Sequence, residues 1–550
     1  MQNPHLRRIS ALSAARSLAY LYDISAFAAL LRLELHPHLG VLQRSQPDTL
    51  LCRFCAGLPY PAVVFLFTIT PFFIGFRPVR SRLERNAMYR QAGRISSRIG
   101  KTLSRKIKQT KRLSRKTAAF ALLLAGAALV ALVSLGFARL ADYALELNQE
   151  WTRAYPWAAV VVLPAAMMLL VWFTRRYAPY TAGSGIPQVL AALSLPHGAE
   201  KNRLVALGQT LLKIPLTFLG MLAGASIGRE GPSVQVGAAV MAAWGGWCRK
   251  HDLAFKNLRE NDLLAAGAAG GLAAAFNAPL AGVVFAIEEL GRAVALRWER
   301  QIFIGVLAAG FILVAIEGNN TYFKGFHGRE LASNMLEWVL VCAAVCGVAG
   351  GLFARFLSKG ADWLAPRGWR SWMRRHPVWL AGVFGLLLAA LGLLTQGETY
   401  GTGYEAAAAA LRGNTDAALG AAGSKWAATV ISYWAGIPGG IFTPSLTIGA
   451  LIGVHVSQLS GLAAPAGVLA LLCMAAFLAA ATQSPLTASV VVMEMTGSQS
   501  LLFWMLIASI AASVISRQFC PQPFYHFAAA RFRQRVREEV QAGKAESGFR

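Results

Sequence analysis

The chain has 550 residues, 55% of them hydrophobic and only 14% charged. Soluble domains carry roughly a quarter charged residues, so this composition excludes an ordinary soluble globular protein, and its apolar content excludes a disordered one. The formal charge is +27, from 53 Lys and Arg against 26 Asp and Glu. In so apolar a chain this sign points to a multi-pass membrane protein with basic cytoplasmic segments rather than to a nucleic-acid binder.

Residues 1–76 hold a short apolar stretch, Pro61 to Phe76, interrupted by Pro71. It is marginal for a span, and no small-residue cleavage site follows it, so this N-terminal extension is given no role. Residues 77–116 contain fifteen Lys and Arg and one acid, Glu84. Nucleic-acid arms interleave aromatics with basic residues, whereas here Tyr89 stands alone. The segment therefore reads as a basic cytoplasmic juxtamembrane flank that orients the first span. Ten apolar runs follow between Ala118 and Ile515, several too short or too broken by Gly and Pro for simple spans. They predict helices that enter, break and turn back. Of the seven cysteines, Cys52 and Cys55 form a lone CxxC and Cys342 and Cys346 sit in an apolar run, so neither a disulfide framework nor a metal site is expected. No cofactor is implied, and no phosphate loop or nucleophile–base arrangement supports an enzyme.

The breaks fall in related places. Gly183-Ser184-Gly185-Ile186-Pro187 is followed by Gly228-Arg229-Glu230-Gly231-Pro232; later, Gly401-Thr402-Gly403-Tyr404 is followed by Gly439-Gly440-Ile441-Phe442-Thr443-Pro444. The pattern predicts two internal repeats, at 117–318 and, after a linker, within 319–528, with a basic cytoplasmic tail at 529–550. Glycine lets backbone approach a ligand, and a helix start presents free N–H groups at the positive end of its dipole. The Ser184 hydroxyl and the amides of Arg229–Gly231 and Ile441–Thr443 are candidate anion donors, the alternative being that these glycines serve packing. Such donors let an anion leave, where a buried Lys or Arg would retain it. Glu230, inside a break with apolar sequence on both sides, is a functional candidate because an intramembrane carboxylate is expensive. Ionised, it competes with an anion for the same amides; protonated, it withdraws. For Glu288-Glu289 a proton relay and an ordinary acidic helix end both stay open, and Glu494 stays unassigned.

Together GSGIP (183–187), GREGP (228–232), GAAGGLAAAFNAPLAGVVFAIEE (267–289), GIPGGIFTP (436–444) and SPLTASVVVMEMT (484–496) resemble the CLC family of chloride channels and chloride/proton antiporters, over about Thr117 to Ala529. The resemblance implies an all-α polytopic membrane protein of two inverted-topology repeats with tilted, broken and re-entrant helices. It implies a homodimer in the lipid bilayer, with chloride and protons as its cargo. Ser184, between Gly183 and Gly185, matches the family's chloride-coordinating serine, and Ile441 and Phe442 match its amide donors. Tyr525, in Pro523-Phe524-Tyr525, matches the coordinating tyrosine, the alternative being an interfacial-belt tyrosine. Glu230, between Arg229 and Gly231, matches the external gating glutamate, Glu289 the internal proton-transfer glutamate, and Lys213 a lysine beneath the pathway. Glu230 with Glu289 favours chloride/proton antiport; a passive voltage- or pH-gated chloride channel on the same anion site is the alternative. Lacking the paired nucleotide-sensing domains of many eukaryotic relatives, the chain looks like a bacterial inner-membrane member with both termini cytoplasmic.

Overall fold

The computed structural model describes residues 82–548, except 254–258, 294–299, 319, 325, 327–333 and 462–464. The extension at 1–76, with Cys52 and Cys55, lies outside the described residues, as does part of the linker between the repeats. The chain divides into two units, 1–114 and 115–550. In the first, the described residues 82–114 are helical and open helix α1 (Arg82–Ala154).

Among the described residues of the second unit every regular element is a helix, with two isolated backbone bridges and no strand. Among the described residues, five helices are long and apolar enough to cross a membrane: Thr117–Ala154, Pro156–Tyr177, Met335–Lys359, Pro377–Leu394 and Gln499–Phe519. The apolar run at 205–227 is not a straight span. Two short helices, α2 (Ala199–Leu204) and α3 (Leu207–Leu211), are followed by α4 (Lys213–Ala223), with a bend of 60°. Pro215 falls in the first turn of α4, where its missing N–H removes no helical bond.

Two helix pairs build the centre. Helix α5 (Glu230–Lys250) packs on α6 (Glu260–Phe276), and α7 (Phe442–Leu459) packs on α8 (Ala466–Thr482). The contacts are backbone-close because small residues line them: a Cβ on Gly449 would stand 2.7 Å from the Met474 Cα, and one on Gly271 would strike the Ser233 carbonyl. Without a hydrophobic drive between helices in lipid, such close packing supplies much of the association.

The two halves interlock through carboxylates. Asn277 and Gln483, both left-handed (φ 53° and 60°), end α6 and α8. After each comes a proline that starts a short helix, α9 (Pro279–Phe285) and α10 (Pro485–Thr496). Glu494, on α10, accepts the first-turn amides of α9 at Leu280 (3.1 Å) and Ala281 (2.6 Å). Glu288, just beyond α9, accepts the equivalent amides of α10 at Leu486 (3.3 Å) and Thr487 (2.7 Å). Each half caps the matching helix of the other, the signature of two repeats related by a pseudo-two-fold axis. A carboxylate at a helix start satisfies orphan donors and sits at the favourable dipole end. Glu494, unassigned in the sequence, is therefore a cap, and so is Glu288.

Removing either cap strands two amides each. Glu288→Ala and Glu494→Ala are each expected to destabilise the purified protein by about 1–3 kcal/mol, seen as a lower melting temperature. The loss is expected to be larger at Glu288, which is only 8% exposed, and smaller for Gln, which keeps one acceptor.

Candidate ion site

Three helix starts converge on one place. Helix α5 begins at Glu230, α7 at Phe442, and a further helix (Ile186–Ser194) begins after Gly185, whose φ of 106° favours glycine. Backbone pairing joins the three loops. Gly228 and Gly440 exchange two hydrogen bonds of 2.7 Å, the Gly183 N–H donates to Ile437 (3.0 Å), and the Gly439 N–H donates to Gly183 (3.2 Å). Pro187, Pro232 and Pro444 each fall within a first turn, where no carbonyl precedes to need their N–H.

Buried polar atoms without a hydrogen-bond partner among the described residues gather at this junction: Ser184 Oγ, both Glu230 oxygens, Thr443 Oγ1 and Tyr525 Oη; Glu289 Oε1, likewise unpartnered, lies beyond Tyr525. Ser184, Glu230, Tyr525 and Glu289 are all buried to 1% exposure or less. The Ser184 side chain rests on Gly231, where an added Cβ would overlap its Oγ and come within 2.8 Å of its carbonyl oxygen. The Ser184 hydroxyl lies beside that of Tyr525, with Glu289 and Glu230 in electrostatic reach. The Glu230 carboxylate folds back over Gly228 and has the Thr443 hydroxyl and amide as neighbours. Phe442 packs its ring 5.2 Å from that of Phe276. Buried polar groups are nearly always satisfied, so a cluster of unpaired donors and carboxylates suits a transient ligand.

The cations nearby are committed elsewhere. Lys213, fully buried, donates to Gln235 Oε1 (2.8 Å) behind Gly185. Arg229 pairs with Asp142 (2.6 Å) and the Ala138 carbonyl. Two features escaped the sequence. Lys425, the counterpart of Lys213 in the other half, donates to the carbonyls of Thr399 (2.9 Å) and Gly401 (2.9 Å). Residues Ala286–Leu290 form a π-helical turn, a feature common at functional sites. There Glu288 turns to its cap, while Glu289 accepts the Ser484 hydroxyl (2.5 Å) and lies 3.5 Å from His526 Nε2. The position of Ser484, just before Pro485, was the one available hint. A cavity of about 10 Å³ separates Glu289, Ser484, Phe442 and Tyr525. A wider one, about 910 Å³, has Arg229, Asp142, Phe276 and Thr402 in its wall.

The family model described as voltage gated chloride channel matches residues 166–517. The chain belongs to this family. It is 30% identical over 439 residues to the H(+)/Cl(-) exchange transporter ClcA of Vibrio parahaemolyticus, covering 75% of this chain and 90% of that one. It is 30% identical over 417 residues to the ClcA of Yersinia pestis, covering 72% and 81%. Among solved structures it resembles a slow cyanobacterial Cl-/H+ antiporter (26% identity, TM-score 0.63, 75% of this chain and 97% of that one). It shares the fold of a eukaryotic CLC transporter (23% identity, TM-score 0.62, 76% and 74%).

In this CLC protein, Tyr525 stands on the helix Phe524–Gly548, so the described part of the basic tail, 529–548, continues that helix. The helix is tied to both flanks of Ser184. Glu539 accepts the Tyr180 hydroxyl and pairs with Arg535 (2.9 Å), and Arg533 donates to Ser194 Oγ (3.0 Å). Burial works against ionisation of Glu539, but Tyr180, Arg535 and Arg203 outweigh it and hold the carboxyl below its ordinary value. A depressed folded-state pKa gives stability that is present above the unfolded value and lost as pH falls through the folded one. The melting-temperature gap between wild type and Glu539→Gln is therefore expected to be open at pH 7 and to close below about pH 4.

Proposed function

We propose that this protein exchanges chloride for protons across the membrane, and that Ser184, Tyr525 and the Ile441 and Phe442 amides hold the chloride. The observation that carries this reading is the pair of buried carboxylates, Glu230 and Glu289, in electrostatic reach of the hydroxyl of Tyr525. Hydroxyls and helix-start amides offer partial positive charge, enough to replace part of a hydration shell without trapping the ion. Lys213 and Arg229 bond to other partners, so neither closes on the chloride.

Glu230 is the gate in this reading. Ionised, it lies at the start of α5 against the Thr443 amide, the kind of place an anion would take. A proton removes its charge, weakens that hold, and lets chloride in; release of the proton reverses the exchange. Glu289 serves the other end of the proton route, with Tyr525 between the two ionic paths. Gly183 and Gly185 shape the Ser184 loop, and Gly231 leaves room for its side chain. The exchange activity named for the Vibrio and Yersinia relatives and the cyanobacterial antiporter supports the reading. The protein is further proposed to be a homodimer of a bacterial inner membrane, with one repeat at 117–318 and a linker and second repeat at 319–528. Both termini are placed in the cytoplasm on the strength of the basic segments at 77–116 and in the last helix.

Liposomes loaded with chloride and containing the purified protein are expected to drive protons against their own gradient. Glu230→Gln is expected to keep chloride flux while proton flux falls about a hundredfold, the usual scale for loss of a proton-transfer group. Glu289→Gln separates the alternatives: in an exchanger it stops proton flux, in a passive channel it changes little. Chloride flux without proton movement in wild type would make the protein a channel.

A second variant tests the resting place of the gate. Gly228 does not have a positive φ, so alanine is conformationally allowed there, but its methyl would occupy the space of the Glu230 carboxylate. Gly228→Ala is expected to speed chloride flux and to lower the protons carried per chloride.

A further inference from the structure

Glu289 is 1% exposed, so its protons must arrive through a neighbour. Its Oε2 accepts the Ser484 hydroxyl, leaving Oε1 without a hydrogen bond. Facing Oε1 at 3.5 Å is His526 Nε2, itself buried and without a hydrogen bond. The His526 side chain as a whole is 24% exposed, so the imidazole reaches from the Glu289 carboxylate toward the surface. It stands in the first turn of the helix Phe524–Gly548, immediately after Tyr525.

We propose that His526 is the proton-relay residue at the inner mouth, handing protons from the cytoplasmic side to Glu289. The proposal rests on the exchange reading given above. The other groups facing this spot are poorly suited. Glu288 has both oxygens on the Leu486 and Thr487 amides and an ion pair to Arg292 (3.5 Å). Arg292 and Arg533 keep their protons at any physiological pH. The Tyr525 hydroxyl lies on the chloride side, beside Ser184. Imidazole alone among them offers two nitrogens, one to take a proton while the other gives one up.

The transfer balances without a co-reactant. Water-borne H⁺ binds at Nδ1 to give the imidazolium; Nε2–H passes its proton to Glu289 Oε1; the neutral ring left with its proton on Nδ1 then resets when a side-chain rotation brings Nε2 to water, where it takes up a proton as Nδ1 gives one up. Burial first, then the Arg292 and Arg533 guanidiniums, push the imidazole pKa down to about 4. The resting ring is thus neutral and the imidazolium a ready donor. A side-chain adjustment of a few tenths of an ångström brings 3.5 Å into hydrogen-bond range, as is common for transfer pairs outside their working state.

The test is simultaneous chloride and proton flux from full-length protein in liposomes, for wild type, Glu289→Gln, and His526→Gln, →Glu and →Lys. A relay predicts that His526→Gln lowers proton flux about tenfold or more and raises the chloride-to-proton ratio. It also predicts that His526→Glu, which can carry a proton, restores much of that flux. Unchanged proton flux and ratio in His526→Gln would overturn the proposal. Rescue by Lys but not Glu would also overturn it, showing that a positive charge gathering chloride is what matters. If neither Gln nor Glu supports chloride flux, the histidine is structural and the proposal fails. Absence of proton flux in wild type would instead refute the exchange reading itself.

Discussion

Two hydrogen bonds between Gly228 and Gly440 hold the site together. A bilayer tolerates broken helices only where the freed backbone groups find partners within the protein. Here the breaks of the two halves supply each other: Gly228 with Gly440, Gly183 with Ile437 and Gly439. The helix starts are fixed by that pairing, and their first-turn amides are left for other uses. Separate either break from its counterpart and both would carry unpaired backbone in low dielectric, at several kcal/mol for each group.

Around this junction the charges sort into those that are committed and those that are not. Glu288 and Glu494 cap helices, Arg292 bonds the Gln483 carbonyl, Arg229 is held by Asp142, and Lys213 and Lys425 are held by side-chain or backbone oxygens. Glu230 and one oxygen of Glu289 remain without a hydrogen bond among the described residues. Charges that hold structure and charges free to change state therefore lie within a few residues of one another, distinguished by their bonds rather than by their burial.

Much of this was legible in the sequence. Gly and Pro punctuate helix starts, so the three breaks, Ser184, Glu230 and Phe442 could be found from local pattern, and the repeat from its recurrence. What was hidden depends on partners far away in the chain. Nothing near Glu494 reveals that it caps Leu280 and Ala281, and nothing near Lys425 reveals the carbonyls of Thr399 and Gly401. Glu288 and Glu289 are adjacent and chemically alike; only the π-helical turn, which no motif announces, sends one to a helix cap and the other to Ser484 and His526. Nothing in the spacing of His526 marks it; only the fold brings it within 3.5 Å of Glu289. The run 205–227 looked like one apolar segment because bending at a helix junction leaves composition unchanged.

The reciprocal caps have a consequence for direction. At matching positions of the two halves, α5 and α7 begin alike: Ser233 bonds back to the Arg229 carbonyl (3.0 Å) as Ser445 does to that of Ile441 (2.7 Å), with Pro232 and Pro444 just before them. Yet Glu230 occupies in one half the place that Phe442 occupies in the other. A scaffold built from a duplicated unit, one copy upside down, reads the same from either side of the membrane and so has no front or back of its own. The direction of the machine rests on the few positions, such as Glu230 and Phe442, where the two copies differ.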